Sequence, residues 1–262
     1  MELPHGTSEE DSIGRKRFSV ILSRPENFEN VGLAARAMKN TGFSDLRLVG
    51  IEKLGPEARK TAIHAGGVLK KARFYPDLPA ATKSLHLVFA ATARSRNTFS
   101  ILTFPEALET IFRYPRTTRI GLLFGNERTG LTSEELGSAN FVFSLPQVSR
   151  QPSYNLASAV LLILFALFSR SMGKAASGPL EPRPVLRGAQ DECVRVILMK
   201  LEKNGFIHGA NKAHVTEMVE GLFGRLALTD RDKRFLMAVF NAGAKGVAIK
   251  RALLSKQGEK RT

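Results

Sequence analysis

Short, almost unbroken apolar runs recur along the first two-thirds of the chain, at Phe18–Leu22, Asp45–Val49, Leu87–Ala91, Ile120–Phe124 and Phe141–Leu145. Longer segments with helical spacing separate them. Runs this continuous leave no polar face, so they predict strands covered on both sides, and their alternation with helices predicts an α/β fold built on a largely parallel sheet. The Ala-rich stretch 32–40 reads as a helix that Gly42 is placed to end, and Thr103-Phe-Pro-Glu106 and Thr132-Ser-Glu-Glu135 read as capping boxes. The longest apolar run, Leu156–Phe168, is shorter than the roughly 18 to 20 residues a bilayer span needs, so it predicts a buried helix. Being apolar all round, it needs cover on every side.

The pattern changes after Arg170. Residues 171–190 are rich in Gly, Pro and Ala without sustained apolar period and read as a linker. Beyond it, Val215, Met218, Val219, Leu222, Phe223 and Leu226 recur at helical spacing, and Phe235, Leu236, Val239 and Phe240 repeat the pattern after a possible cap, Thr229-x-x-Asp232. The predicted organisation is a flexible N-terminal segment 1–17, a main domain 18–170, the linker 171–190 and a small all-helical extension 191–262 ending in a basic tail.

Of the 262 residues, 43% are hydrophobic and 24% charged, an ordinary composition for a globular protein. The charge is not ordinary: 39 Lys and Arg against 24 Asp and Glu leave +15, a field suited to a polyanion such as nucleic acid, with acidic lipid as the rival. Residues 171–262, with 17 basic against 9 acidic side chains, hold more than half of that excess. The tail from Lys250 to Thr262 is either a phosphate contact or simply a solvated basic end. Nothing at the N-terminus resembles a signal peptide, so the expected location is the cytoplasm, with no membrane contact. Cys193 is the only cysteine, which excludes an intrachain disulfide and a cysteine-based zinc cage; in a helical pattern it reads as a small core hydrophobe.

Several chemistries are excluded by the absence of their motifs. There is no P-loop, no G-x-G-x-x-G after the first strand, no G-x-S-x-G elbow and no metal-ligand spacing among the five His residues, so no metal is expected. What remains is three polar, glycine-bearing turns at the carboxyl ends of predicted strands, where open α/β sheets place ligands. They are Asn30-Val-Gly32-Leu-Ala-Ala-Arg36, then Phe124-Gly125-Asn126-Glu127-Arg128-Thr129-Gly130-Leu131, then Leu145-Pro146 followed by Ser153-Tyr154-Asn155-Leu156. Gly32 is expected to let the chain turn closely into a helix. Each turn also has a purely structural reading, with Asn30, Ser153 or Asn155 as helix caps and Gly125 and Gly130 as turn residues.

Taken in this order along one sheet, the three turns resemble the three motifs of SPOUT-superfamily RNA methyltransferases, in the branch of TrmH- and TrmJ-like ribose 2′-O-methyltransferases. The resemblance covers about residues 18–170, and the helical remainder is similar to the extension of the TrmJ group. Asn126 stands where that group often has Arg, and Tyr154 where Leu is common. The resemblance implies a sheet with a C-terminal trefoil knot, S-adenosyl-L-methionine as cofactor, and a homodimer with its active site close to the subunit interface. It further implies that the substrate is RNA, with tRNA ahead of rRNA.

Carried over by position, the resemblance makes Arg36 the catalytic residue, either a participant in removing the hydroxyl proton or a clamp on a phosphate. Asn30 and Glu127 would hold Arg36 or the ribose by hydrogen bonds, with Ser153 and Asn155 in the same pocket. The cofactor contacts fall on Ala91, Thr92, Ala93, Gly125, Leu145, Pro152, Ser153 and Tyr154. Arg94 and Arg96 are candidate phosphate contacts or solvated surface residues. A ribose hydroxyl is a weak nucleophile, so the chemistry requires a methyl donor held in line at near-attack distance. The competing class is a basic RNA-binding protein of the same fold that does not turn over.

Overall fold

The computed structural model describes residues 14–93, 99–148, 153–171 and 180–241. In chain order the elements are β1 (Phe18–Ser23), α1 (Phe28–Thr41), β2 (Asp45–Val49), α2 (Pro56–Ala62), α3 (Gly66–Lys70), β3 (Arg73–Tyr75), α4 (Leu78–Thr82), β4 (Leu87–Ala91) and β5 (Ile101–Thr103). They continue with α5 (Phe104–Arg113), β6 (Ile120–Phe124), α6 (Ser133–Gly137), β7 (Phe141–Ser144), α7 (Leu156–Ser171), α8 (Arg187–Lys203) and α9 (Lys212–Gly224). A further helical stretch spans 230–241.

The strands form one parallel sheet in the order β3-β2-β1-β6-β4-β7-β5. All five expected strands are present. The two that the apolar pattern did not reveal, β3 and β5, are the three-residue edge strands, half open to solvent and therefore free of any need for an apolar run.

Alternation along the strands builds two cores. Val20 and Leu22 of β1, Leu87 and Phe89 of β4 and Leu122 of β6 pack with α1, α2, α5 and α7 on one face. Ile21, Val88, Ala90 and Leu123 pack with α4 and α6 on the other. The sheet is thus covered on both sides, which is why its strands could afford no polar alternation.

Helix α1 differs from its expected form at its start. Asn27, not Asn30, is the N-cap, its side chain accepting from the Glu29 amide, while Gly42 ends the helix in the left-handed conformation as expected. Gly32 lies in the second turn of α1 and serves a helix contact instead of a turn. A Cβ there would stand 2.0 Å from Thr61 Oγ1 and 2.2 Å from the Ala58 carbonyl of α2. Both expected capping boxes form, at Thr103 and Thr132.

Two expected boundaries move. The chain is docked before residue 18: Arg15–Arg17 form a 3-10 turn, and buried Arg17 donates to the carbonyls of Ile111, Tyr114 and Pro115 at the end of α5. Residues 1–13 and the basic tail 242–262 lie outside the described residues. At the other boundary, residues 187–190 belong to α8, and the segment before it is pinned, with the Glu181 amide on Arg113 O and the Val185 amide on Leu228 O.

The helices after residue 186 have a small core of their own, including Val194, Ile197, Phe223 and buried Cys193, whose thiol burial pushes up in pKa. They dock on the amino-terminal edge of the sheet. Buried Arg187 donates to Asn140 Oδ1 at 3.0 Å and to the Gly224 carbonyl, while Asn140 Nδ2 reaches Leu226 O at 2.7 Å. Backbone approaches Gly224 so closely that a Cβ there would lie 2.5 Å from Gly137 O.

Gly32→Ala should force α2 away from α1 and destabilise the fold by about 2 to 3 kcal/mol, the upper range for overpacking, read as a lowered thermal midpoint. A second expectation concerns His86, whose Nδ1 accepts the Arg119 amide at 2.9 Å. Burial, reinforced by the charges of Arg119 and Arg183, lowers its pKa from 6.5 to about 4. The unfolded chain therefore takes up a proton in that window that the folded chain refuses, so stability should fall as pH drops through it. Urea midpoints compared across that range should show the loss, and His86→Gln should flatten it.

Candidate functional site

A cavity of about 510 Å³ opens at the carboxyl ends of β4, β6 and β7, bordered by the start of α1 and the first turns of α7. The three polar turns meet there. Asn155 Nδ2 donates to Asn30 Oδ1 at 2.8 Å, and Asn30 Nδ2 donates to Glu127 Oε1 at 2.9 Å. Glu127 also accepts the Asn27 amide on Oε1 and the Glu26 amide on Oε2. At the other end of the chain of bonds, Asn155 Oδ1 accepts the amides of Ala157 and Ser158, capping α7. Asn155 therefore fills both roles open to it from sequence, helix cap and site residue. A carboxylate offers about four acceptor positions, and three of those on Glu127 are taken, which fixes the group and leaves one position for a ligand.

The loop that carries Glu127 is itself fixed by a residue the sequence marked only as a departure. Asn126 is buried; its Nδ2 donates to Arg24 O at 2.8 Å, and its Oδ1 accepts the amides of Arg128 and Thr129 at 2.9 and 3.0 Å. The loop closes as Gly130, at φ +68, returns its amide to Asn126 O. Gly125 permits the closure, since a Cβ there would stand 2.3 Å from the Leu131 amide nitrogen.

Arg24 in turn adopts the left-handed conformation, φ +49, which costs a non-glycine residue about 1 kcal/mol or more. Its guanidinium is held by Glu135 at 2.7 Å, and Ser23 Oγ donates to the same carboxylate. Burial alone would push Glu135 up in pKa, but the bonds from Ser23 and the Thr132 amide and the charge of Arg24 outweigh it and hold the group below the usual carboxylate range. The capping box of α6 thus anchors the cavity wall.

Of the residues expected at a cofactor site, Ala91, Thr92, Ala93, Gly125, Leu145, Ser153 and Tyr154 line the cavity. Pro152, Arg94 and Arg96 lie outside the described residues. The walls are also cross-linked in a way no motif disclosed, with Tyr154 Oη donating to Pro146 O at 3.0 Å and Gln147 Nε2 reaching Ala93 O.

Arg36 is placed differently from expectation. It is exposed on α1, absent from the cavity wall, and bonded neither to Asn30 nor to Glu127. Six residues of helix rotate it about 120° from Asn30 and leave it about 60° from Leu33. Asn30 and Glu127 hold each other instead.

Among the described residues no group of three or more His, Cys, Asp or Glu could hold a metal ion, and no helix is long and apolar enough to cross a membrane. The SpoU rRNA methylase family model matches residues 17–165. The TrmJ protein of Methanocaldococcus jannaschii, a tRNA (cytidine-2′-O-)-methyltransferase, is 31% identical over 232 residues, 85% of this chain and 97% of its own length. The Escherichia coli LasT protein, an uncharacterised tRNA/rRNA methyltransferase, is 32% identical over 69% of this chain and 81% of its own. The crystal structure of TrmJ from Z. mobilis ZM4 superposes with a TM-score of 0.73 at 30% identity, covering 86% of this chain and 97% of that one.

Asn126→Ala should leave the Arg128 and Thr129 amides without their acceptor, costing about 2 kcal/mol on the scale of lost buried partners. Hydrogen exchange at those two amides should accelerate more than at the strands of the sheet. Unchanged exchange there would show that the loop holds its shape without Asn126.

Proposed function

The chain belongs to the SpoU rRNA methylase family, and on that premise we propose that it transfers a methyl group from S-adenosylmethionine to a ribose 2′-hydroxyl of tRNA. The choice of tRNA follows relatives named tRNA 2′-O-methyltransferases, at 31% and 28% identity over 85% of this chain. The observation that carries the reading is the Asn155–Asn30–Glu127 chain of hydrogen bonds on the cavity wall.

The cavity fits the cofactor in size and chemistry. Its volume of about 510 Å³ lies in the range of small-molecule sites, and Ala91, Ala93, Gly125 and Ala159 leave backbone groups within reach of a ligand. When bound, S-adenosylmethionine supplies a methyl group on a positive sulfonium, reactive enough for a hydroxyl nucleophile. The protein's own task is then to bind, orient and exclude water. Glu127 keeps one acceptor position for a ribose hydroxyl, while Asn30 and Asn155 hold that carboxylate in place from one side. The strand order, with β6 and β7 inserted beside β4, supports the knotted topology that the family resemblance implies.

Arg36 enters through a second copy. Helix α7 buries Val160, Ile163, Leu164 and Leu167 but exposes Leu161, Leu162 and Phe165, the last at 57%. Leu33 of α1 is exposed as well, and α1 packs along α7. An apolar face of this kind suits an isologous contact with the same face of another subunit. Ala159 lines the cavity one turn before Leu162 on α7, so the face borders the cavity. A partner's Arg36, beside Leu33, then reaches the site that its own subunit cannot supply. There the guanidinium fork orients the hydroxyl and its neighbouring phosphate or assists loss of the proton.

Mass spectrometry of nucleosides from tRNA incubated with the protein and S-adenosylmethionine should find a new 2′-O-methylated ribose, with turnover lowered at least roughly 100-fold in Arg36→Ala. Neither Arg36→Ala nor the cavity-filling Ala159→Phe should work alone. A mixed dimer of the two retains one intact composite site and should recover about half the wild-type rate. Methylation confined to rRNA would overturn the choice of tRNA, and an inactive mixed dimer would overturn the shared site.

A further inference from the structure

The amino-terminal edge of the sheet, opposite the cavity, gathers exposed cations from segments far apart in sequence. Helix α5 ends in Arg113 and the loop from it to β6 carries Arg116 and Arg119; the loop between α4 and β4 carries Lys83; the segment leading into α8 carries Arg183. Backbone contacts hold these pieces together. The Glu181 amide donates to Arg113 O, the amides of His86 and Leu87 to Arg119 O, and the Gly188 amide to Lys83 O.

On these loops the exposed carboxylate among the described residues is Glu181, and Asp45, further along the edge, is already occupied by Arg47 and Arg73. Asp191, on α8, is turned to buried Arg187. Arg116, Arg119, Arg183 and Lys83 form no ion pair with another described residue. The positive field is felt locally, since the charges of Arg119 and Arg183 add to burial in keeping His86 neutral.

We propose that this edge is a docking surface for the phosphate backbone of a folded RNA, formed jointly by the connections at the amino ends of the sheet and the segment leading into α8. Five like charges fixed on docked loops repel one another, and a polyanion relieves that repulsion while releasing its own counterions. The proposal rests on the reading that the substrate is RNA, and it adds where the body of that RNA is held. Arg119 and Gly125 lie at opposite ends of β6, so the edge stands roughly 20 Å from the cavity at about 3.3 Å per residue. An oligonucleotide of one or two residues that fills the cavity does not span that distance, whereas a folded tRNA does. The edge therefore selects the size and shape of the substrate and leaves the reacting nucleotide untouched, consistent with RNA recognition through shape and backbone.

The test compares the full chain with the triple variant Arg116→Gln, Arg119→Gln, Arg183→Gln and with the corresponding Lys triple. Binding is measured to an unmodified tRNA transcript over a range of salt. The Gln triple should weaken binding at least roughly 10-fold at low salt and reduce the slope of log affinity against log salt by about 2 to 3, one phosphate contact per arginine. The Lys triple should keep most of both. S-adenosylmethionine binding and methyl transfer to a short oligonucleotide should not change in any of them.

An unaltered slope in the Gln triple would overturn the proposal, as would a Lys triple as weak as the Gln triple. So would loss of binding to anionic phosphatidylserine vesicles with transcript binding intact, which would make the edge a membrane contact. Transcript binding is read without turnover. A protein that binds the transcript through these arginines but methylates nothing would sink the enzymatic reading alone.

Discussion

Glu127 accepts three hydrogen bonds from a stretch of chain about a hundred residues earlier, two from backbone amides and one from Asn30. That interaction sets where the loops after β1 and β6 can lie, and Asn155 extends the same constraint to the start of α7. Each member is a neutral amide or a backbone group except the carboxylate at the end, so the bonds all run toward one negative charge and reinforce one another. Truncating Asn30, the buried member, would strand its partners on either side. The cavity exists because these three loops cannot drift apart.

How much of this could be read from the sequence depends on the range of the interaction. The buried strands were legible because burial on two faces leaves an apolar run, whereas β3 and β5, at the edges, carry no such mark. Local devices were legible too: both capping boxes and Gly42 appear where the residue types put them. Gly32 was recognisable as a special glycine but not for its actual reason, because the obstacle to a side chain there comes from α2, some thirty residues on. The site residues were recognisable as a set of motifs, yet their bonding was not, since Asn30 and Asn155 are 125 positions apart. Asn126 carried no signal beyond being unusual at its place, and Arg36 carried none of where it would lie, because a motif spacing does not say which side of a helix faces its own subunit's cavity.

The two ends of the sheet divide the work. At the carboxyl ends of the strands the chain places small residues, amides and one fixed carboxylate, a surface suited to a close-fitting ligand. At the amino ends it places the helical extension, sealed by the buried Arg187 and Asn140 against three successive loops. That docking makes the extension part of the same body as the sheet, through Gly224 and Gly188, whose missing side chains let backbone meet backbone. Of the expected linker, Glu181, Val185 and residues 187–190 are docked or helical, and the described charges of the extension hold a defined position relative to the strands.

The strand order also dictates when the protein can assemble. β1, β2 and β3 are neighbours both in sequence and in the sheet, so the first 75 residues can pair as they emerge from the ribosome. β4 and β5 cannot, because their partners are β6 and β7, still to be synthesised. Apolar β4 has no partner until β6 is made, and its second edge and β5 wait for β7, complete only at residue 144. Contacts of such long sequence separation slow folding and leave sticky intermediates exposed. The same interleaving that lets β4 sit at the wall of the cavity makes this half of the sheet the one whose pairing waits longest on later sequence.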